Sequence, residues 1–230
     1  LGLDAGRLAH AFGVFYAHAA GNREALRERA LSKRLQPGVA ARAAVFSAAA
    51  AETGLTGPAG ALDGPGGLYR LYAQCDPPAG DGWDAPADRW EIEDDIVKQF
   101  PTCGGHHAAI AAALALRAEE GLTAGDIRQI ELHVGGPGSL VGQPFSMGPD
   151  PQTDAQFCAP YAVALALARG EVTPGRLTNV AIRADADVAR LAEGAILLDA
   201  WDWDPADFPR PPGSSRWQAT PQLVRVHTAD

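Results

Sequence analysis

The hydrophobic pattern of this chain changes period part-way along its length, and that change restricts the fold more than any other feature. Up to about residue 62 the apolar residues recur at helical spacing. Leu3, Leu8, Ala11, Phe12 and Phe15 share one face of a segment that Asp4 can cap and Gly21 ends. A second helix starts at Gln36 and Pro37, because proline fits the first helical position, and its Ala-rich run continues to Glu52 with a stop at Gly54. Between residues 54 and 86 the density of Gly and Pro predicts turns and a linker, within which Leu68, Tyr69, Leu71 and Tyr72 form a short packed helix. Beyond Trp90 strands and helices interleave. Residues 92–100 read as extended or mixed, residues 106–116 as a helix that stops at Gly121, and residues 127–134 as a half-buried strand. Thr153 or Asp154 caps a further helix through Ala168, closed by Gly170; residues 186–191 form a short helix, and residues 195–201 and 223–227 are strand-like. This order predicts a two-layer α+β domain and not a doubly wound sheet.

Composition narrows the function classes. A chain of 230 residues can bury roughly 70% of its unfolded surface, so its core needs neither metal nor disulfide. A net charge of −9 argues against a protein that coats nucleic acid or an anionic membrane. Cys75, Cys103 and Cys158 are odd in number and lack CxxC spacing, which speaks against a disulfide framework and a structural zinc site and for a reducing cytoplasm. The apolar runs fall far short of the roughly 20 residues that a helical span requires. Nucleotide-binding glycine loops, HExxH and GxSxG are absent from the sequence.

Of 19 cations, 17 are arginine, and only Lys33 and Lys98 are lysine. Against that arginine background the two ammonium groups mark positions where a compact, strongly hydrated charge is needed, the alternative being two solvated surface lysines. Lys33 belongs to a basic stretch, residues 22–34, and sits just ahead of the helix that starts at Gln36, where unpaired N–H groups and the helix dipole favour a carboxylate or phosphate. Lys98 opens the densest cluster, Lys98-Gln-Phe-Pro-Thr-Cys-Gly-Gly-His-His107. Pro101 and the paired Gly104 and Gly105 impose turns, so Lys98, Cys103, His106 and His107 can converge near a helix N-terminus. There an imidazole can pass a proton while the lysine holds a carboxylate. The bland alternative is that one histidine caps the helix and the other faces solvent. A metal site is the weaker reading, because adjacent residues point apart and no third ligand stands at a familiar spacing. In Thr153-Asp-Ala-Gln-Phe-Cys-Ala-Pro-Tyr161, the phenol is either a core tyrosine or a donor to a substrate oxygen.

Five ordered blocks then carry a resemblance. Ala9-His-Ala-Phe-Gly, Ser32-Lys-Arg-Leu-Gln-Pro-Gly-Val-Ala-Ala, Gly54-Leu-Thr-Gly-Pro with Leu62-Asp-Gly-Pro-Gly-Gly, Lys98-Gln-Phe-Pro-Thr-Cys with His107-Ala-Ala-Ile, and Asp154-Ala-Gln-Phe-Cys-Ala-Pro-Tyr-Ala-Val-Ala span most of the chain. Together they resemble the MmgE/PrpD family, which includes 2-methylcitrate dehydratase, cis-aconitate decarboxylase and iminodisuccinate epimerase. The resemblance implies an α+β protein: part of an all-helical domain with a linker over residues 1–90, then a smaller two-layer α+β lid over residues 91–230, with the active site in the cleft. It implies a cofactor-free lyase of the dehydratase type that removes a proton next to a carboxylate of a small di- or tricarboxylic acid. Epimerisation, decarboxylation and a non-catalytic subunit are the alternatives.

By motif, Lys33 matches the lysine of the helical domain, and Lys98, Cys103, His107 and Tyr161 match the lid side. His107, Lys98, Tyr161 and Lys33 are the expected catalytic residues, with Cys103, His106, Gln36 and Arg34 expected to bind substrate. Gln36 stands where the family usually carries a histidine. The family's preceding segment, which brings an aspartate and further histidines, and the helices after the lid have no counterpart in this sequence. The expectation is therefore a fragment, or a homodimer or heteromer with a chain that supplies the missing helical segment.

Overall fold

The computed structural model describes residues 1–28, 30–77, 97–135, 139, 141–200 and 221–229. Most of the expected extended segment 92–100, the far end of the linker and Trp201 lie outside these residues. The chain divides into two compact units, Leu1–Ile96 and Val97–Asp230.

The described part of the first unit is helical. Helix α1 (Ala5–Tyr16) starts where expected, with the Asp4 carboxylate accepting the Arg7 N–H at 2.8 Å. It ends at Tyr16 and not near Gly21. A short helix α2 (Glu24–Arg27) follows, and a 3₁₀ turn over Leu31–Leu35 runs without a break into α3 (Gln36–Glu52). Lys33 therefore belongs to a helical turn and does not precede a bare helix end; its own N–H donates to the Ala30 carbonyl at 3.1 Å. Packing between α1 and α3 uses small residues. Ala11, Ala43, Ser47 and Ala51 are buried, and Gly13 lies so close to the backbone of Gly57 and Pro58 that an added Cβ would stand 2.6 Å from it. The expected packed helix at residues 68–72 is a wide single turn over Tyr69–Ala73, with Leu71 and Tyr72 exposed.

The second unit is a small mixed sheet with helices on one face. Helix α4 (His107–Glu120) follows a 3₁₀ turn over Gly104–His106 and stops at Gly121, whose φ of +66° a side chain would resist. Strand β1 (Ile127–His133) turns Ile130 and Leu132 inward. Ile127 is also buried, although its position is out of phase with theirs, because the register shifts between Ile127 and Gln129. The expected single helix through Ala168 is two: α5 (Pro151–Phe157) and α6 (Ala159–Arg169), separated by Cys158 in extended geometry. Pro160 is the cause, since it has no N–H to bond back and its ring would strike the carbonyl one turn earlier. Thr153 and Asp154 lie inside α5 and do not cap it.

Helix α7 (Asn179–Ala184), capped by the Thr178 hydroxyl and absent from the sequence expectations, precedes α8 (Ala186–Glu193). Of the strand expected at residues 195–201, the pairing covers Ile196–Leu197, here β2, which runs parallel to β1. Strand β3 (Leu223–Thr228) pairs with β1 on the other side, antiparallel. Helix α6 packs against α4 and α8, α8 touches β1 and α4 touches β3. Every residue from Ala159 to Ala168 is buried, which makes α6 the centre of the unit.

Candidate active site

The loop 98–107 delivers its side chains to the head of α4 by a series of turns. The Lys98 ammonium curls back to donate to the Thr102 carbonyl at 3.0 Å. Phe100 stands edge-on to the His107 ring, with centroids 5.3 Å apart. Cys103 is tied to the other helical block, because its N–H donates to the Gln156 carbonyl at 2.9 Å. That carbonyl is available because the helix breaks two residues later, at Cys158. Within the second unit the break thus brings together two of the sequence blocks singled out above, the one led by Lys98 and the one led by Asp154.

The adjacent histidines differ sharply. His106 is fully buried, and neither ring nitrogen has a hydrogen-bond partner. Burial, followed by the neighbouring His107 and Lys98, pushes its pKa down to about 3. It is a neutral imidazole at any physiological pH. His107 is only partly buried, yet its Nε2 also lacks a partner. Burial lowers its pKa most; hydrogen bonding to the backbone of Thr102 raises it, the Lys98 charge lowers it and the Phe100 backbone raises it, with a net result below the ordinary histidine value. The Thr102 hydroxyl is buried and unpartnered as well. Among the described residues, all the buried side-chain polar atoms without a partner lie in Thr102, His106 and His107.

The other expected residues fall elsewhere. Tyr161 is enclosed in the core against Phe145, with ring centroids 4.8 Å apart. Burial, then the charge of Asp185, pushes its phenol above the ordinary range, with Arg169 acting the other way. In the first unit Lys33 is half-buried and Arg34 exposed, and the Gln36 amide donates to the Asn22 carbonyl at 3.0 Å. Among the described residues no group of three or more His, Cys, Asp or Glu is placed to hold a metal ion. A groove of about 390 Å³ opens at the opposite end of α4, beside Arg117, Gly121 and Gly170. The Arg117 guanidinium there closes two helix ends, donating to the carbonyls of Leu122, Leu167 and Ala168.

One contributor escaped the sequence reading. The Gln222 side chain, just ahead of β3, accepts the Ala109 N–H at 2.8 Å and donates to the Gly105 carbonyl. A polar residue 113 positions from its partner carries no local signal of such a role.

A helical unit followed by a unit of helices on a small mixed sheet defines a two-part α+β protein, and both parts match a single family. The MmgE/PrpD N-terminal domain matches residues 1–80 and the MmgE/PrpD C-terminal domain matches residues 100–209. The chain belongs to the MmgE/PrpD family, whose members are generally lyases and isomerases. Comparison with curated proteins finds no match. Among the described residues no helix is long and apolar enough to cross a membrane.

Proposed function

We propose that the chain is a cofactor-independent lyase of the dehydratase type, acting on a small di- or tricarboxylic acid, and that loop 98–107 is its reactive edge. The observation that supports this reading is the concentration of unpaired polar atoms on Thr102, His106 and His107 beside the Lys98 cation. A buried polar group without a partner costs about 1–3 kcal/mol, and such costs persist where a ligand repays them. A carboxylate accepts from a hydroxyl, from an imidazole N–H and from an ammonium, which is the donor set gathered here.

In this reading His107 removes a proton from the carbon next to a substrate carboxylate. Its lowered pKa keeps the imidazole neutral and able to accept at neutral pH. Negative charge then builds on the carboxylate, where the Lys98 ammonium offsets it. His106, neutral throughout, serves as a hydrogen-bond donor to substrate, with Cys103 beside it. Tyr161, enclosed in the core of the second unit and kept protonated there, is proposed to hold the leaving oxygen. Lys33, Arg34 and Gln36 are proposed as the carboxylate-binding groups of the helical unit. Loss of a β-hydroxyl, protonated as it leaves, from the charge-stabilised intermediate is dehydration, and its reprotonation on the opposite face is epimerisation; a decarboxylase would instead release carbon dioxide from the substrate carboxylate and protonate the carbanion left behind. The protein is further proposed to act as a homodimer or with a second chain, which native mass measurement would reveal.

The test is turnover of citrate-like hydroxyacids, followed through the new double bond. Lys98→Met and His107→Gln are expected to lower kcat at least ~100-fold. Unchanged turnover in both would remove this loop from the chemistry.

A further inference from the structure

We propose that Gln222 is a positioning residue for the two histidines: its carboxamide spans from the Gly105 carbonyl to the Ala109 N–H and so fixes the backbone that carries His106 and His107. The proposal rests on the reading of loop 98–107 as the reactive edge. His106 makes no side-chain hydrogen bond, so its ring is aimed by its backbone and by packing alone. Whatever fixes residues 105–109 therefore aims the ring.

The Gln222 geometry suits that task. Ala109 is the third residue of α4, and its N–H belongs to the first turn, where no partner exists within the helix. Gln222 Oε1 takes that proton at 2.8 Å, while Nε2 of the same group donates to the Gly105 carbonyl just before the histidine pair. A donor and an acceptor on one planar group are needed, and a carboxamide offers both at any pH. The two backbone partners also fix which end of the amide is oxygen, since Ala109 can only donate and Gly105 can only accept. Gln222 immediately precedes β3, which is bonded to β1 along its length. The clamp therefore ties the histidine turn to the sheet.

Histidine-labelled protein and its Gln222→Met variant, followed by NMR against pH, test this. His227, on β3 and 3.2 Å from Glu131, reports whether the strand is seated; His10 and His18 belong to the first unit and serve as references. The groups facing His107 are Lys98, His106 and the Phe100 and Thr102 backbone. The expected result is displaced His106 and His107 resonances and a His107 midpoint raised as water reaches the ring, with the His227 resonance unmoved. Unmoved His106 and His107 would overturn the proposal, and so would equal movement of His227, which would reduce Gln222 to seating the strand. Should Gln222→Met fail to fold, Gln222→Glu, which keeps the acceptor and loses the donor, is read in the same way. Citrate added to the unaltered protein separates the two ideas: a silent citrate titration would fail the carboxylate reading and leave the clamp standing.

Discussion

In the first unit the residues buried between α1 and α3 are Ala11, Ala43, Ser47 and Ala51, while Leu8, Phe12, Val45 and Phe46 are 48%, 57%, 70% and 54% exposed. In the second unit the order is reversed. Leu165, Leu167, Leu132, Ile110 and Tyr161 are almost wholly enclosed, and α6 offers no side to solvent. The two units thus solve helix packing in different ways. One brings backbones together over glycine and alanine, so its cohesion comes from close approach; the other fills a volume with branched side chains, so its cohesion comes from area removed from water.

The largest expected effect tests that contrast directly. Leu165→Ala should cost about 3–5 kcal/mol in denaturant unfolding, through lost transfer energy and a cavity in a centre that cannot collapse, whereas Leu8→Ala should cost under about 1 kcal/mol. Equal losses at both sites would erase the distinction.

A second prediction concerns the polar atoms inside the apolar unit. The unfolded His106 takes up a proton near its ordinary 6.5, while the folded one resists until about 3. The unfolded state therefore binds more protons as pH falls below that ordinary value, and stability is full above it and drains away downward. The loss should amount to roughly 2–4 kcal/mol by the lower end. His106→Leu should flatten this acid limb in unfolding curves collected at stepped pH; a limb of unchanged steepness would place the sensitivity elsewhere.

The smallest effect sharpens the comparison from the other side. Gly13→Ala forces a methyl against the Gly57 and Pro58 backbone and should cost about 1–3 kcal/mol. Gly38→Ala, in the same unit but facing open space on α3, should raise the melting temperature through a gain of up to about 1 kcal/mol. If both glycines tolerate alanine alike, close approach is not what holds α1.

The residues that punctuate the chain made much of this fold readable. Asp4 caps α1, Pro37 lies at the start of α3, Gly121 and Gly170 close α4 and α6, and the alternation of Ile130, Leu132 and Val134 marks the central strand. What escaped was of two kinds. Pro160 was visible, but the alanine-rich run that follows it hid the break, since alanine favours helix whether or not the helix began earlier. Helix α7 is short and has little periodicity to detect. The candidate site was readable as a local cluster, because Lys98, Cys103, His106 and His107 lie within ten positions. Its asymmetry was not, because which of two adjacent imidazoles turns inward depends on the 3₁₀ turn ahead of α4, and Gln222 reaches it from the far end of the chain.

The interruption at Cys158 has a consequence for anyone redesigning this protein. A proline in an alanine-rich helix invites repair, and Pro160→Ala would look like a stabilising change. Healing the helix would return the Gln156 carbonyl to the rod it belongs to, and the Cys103 amide would lose its mooring. Robustness gained in one segment would be withdrawn from the turn on which the chemistry is proposed to depend.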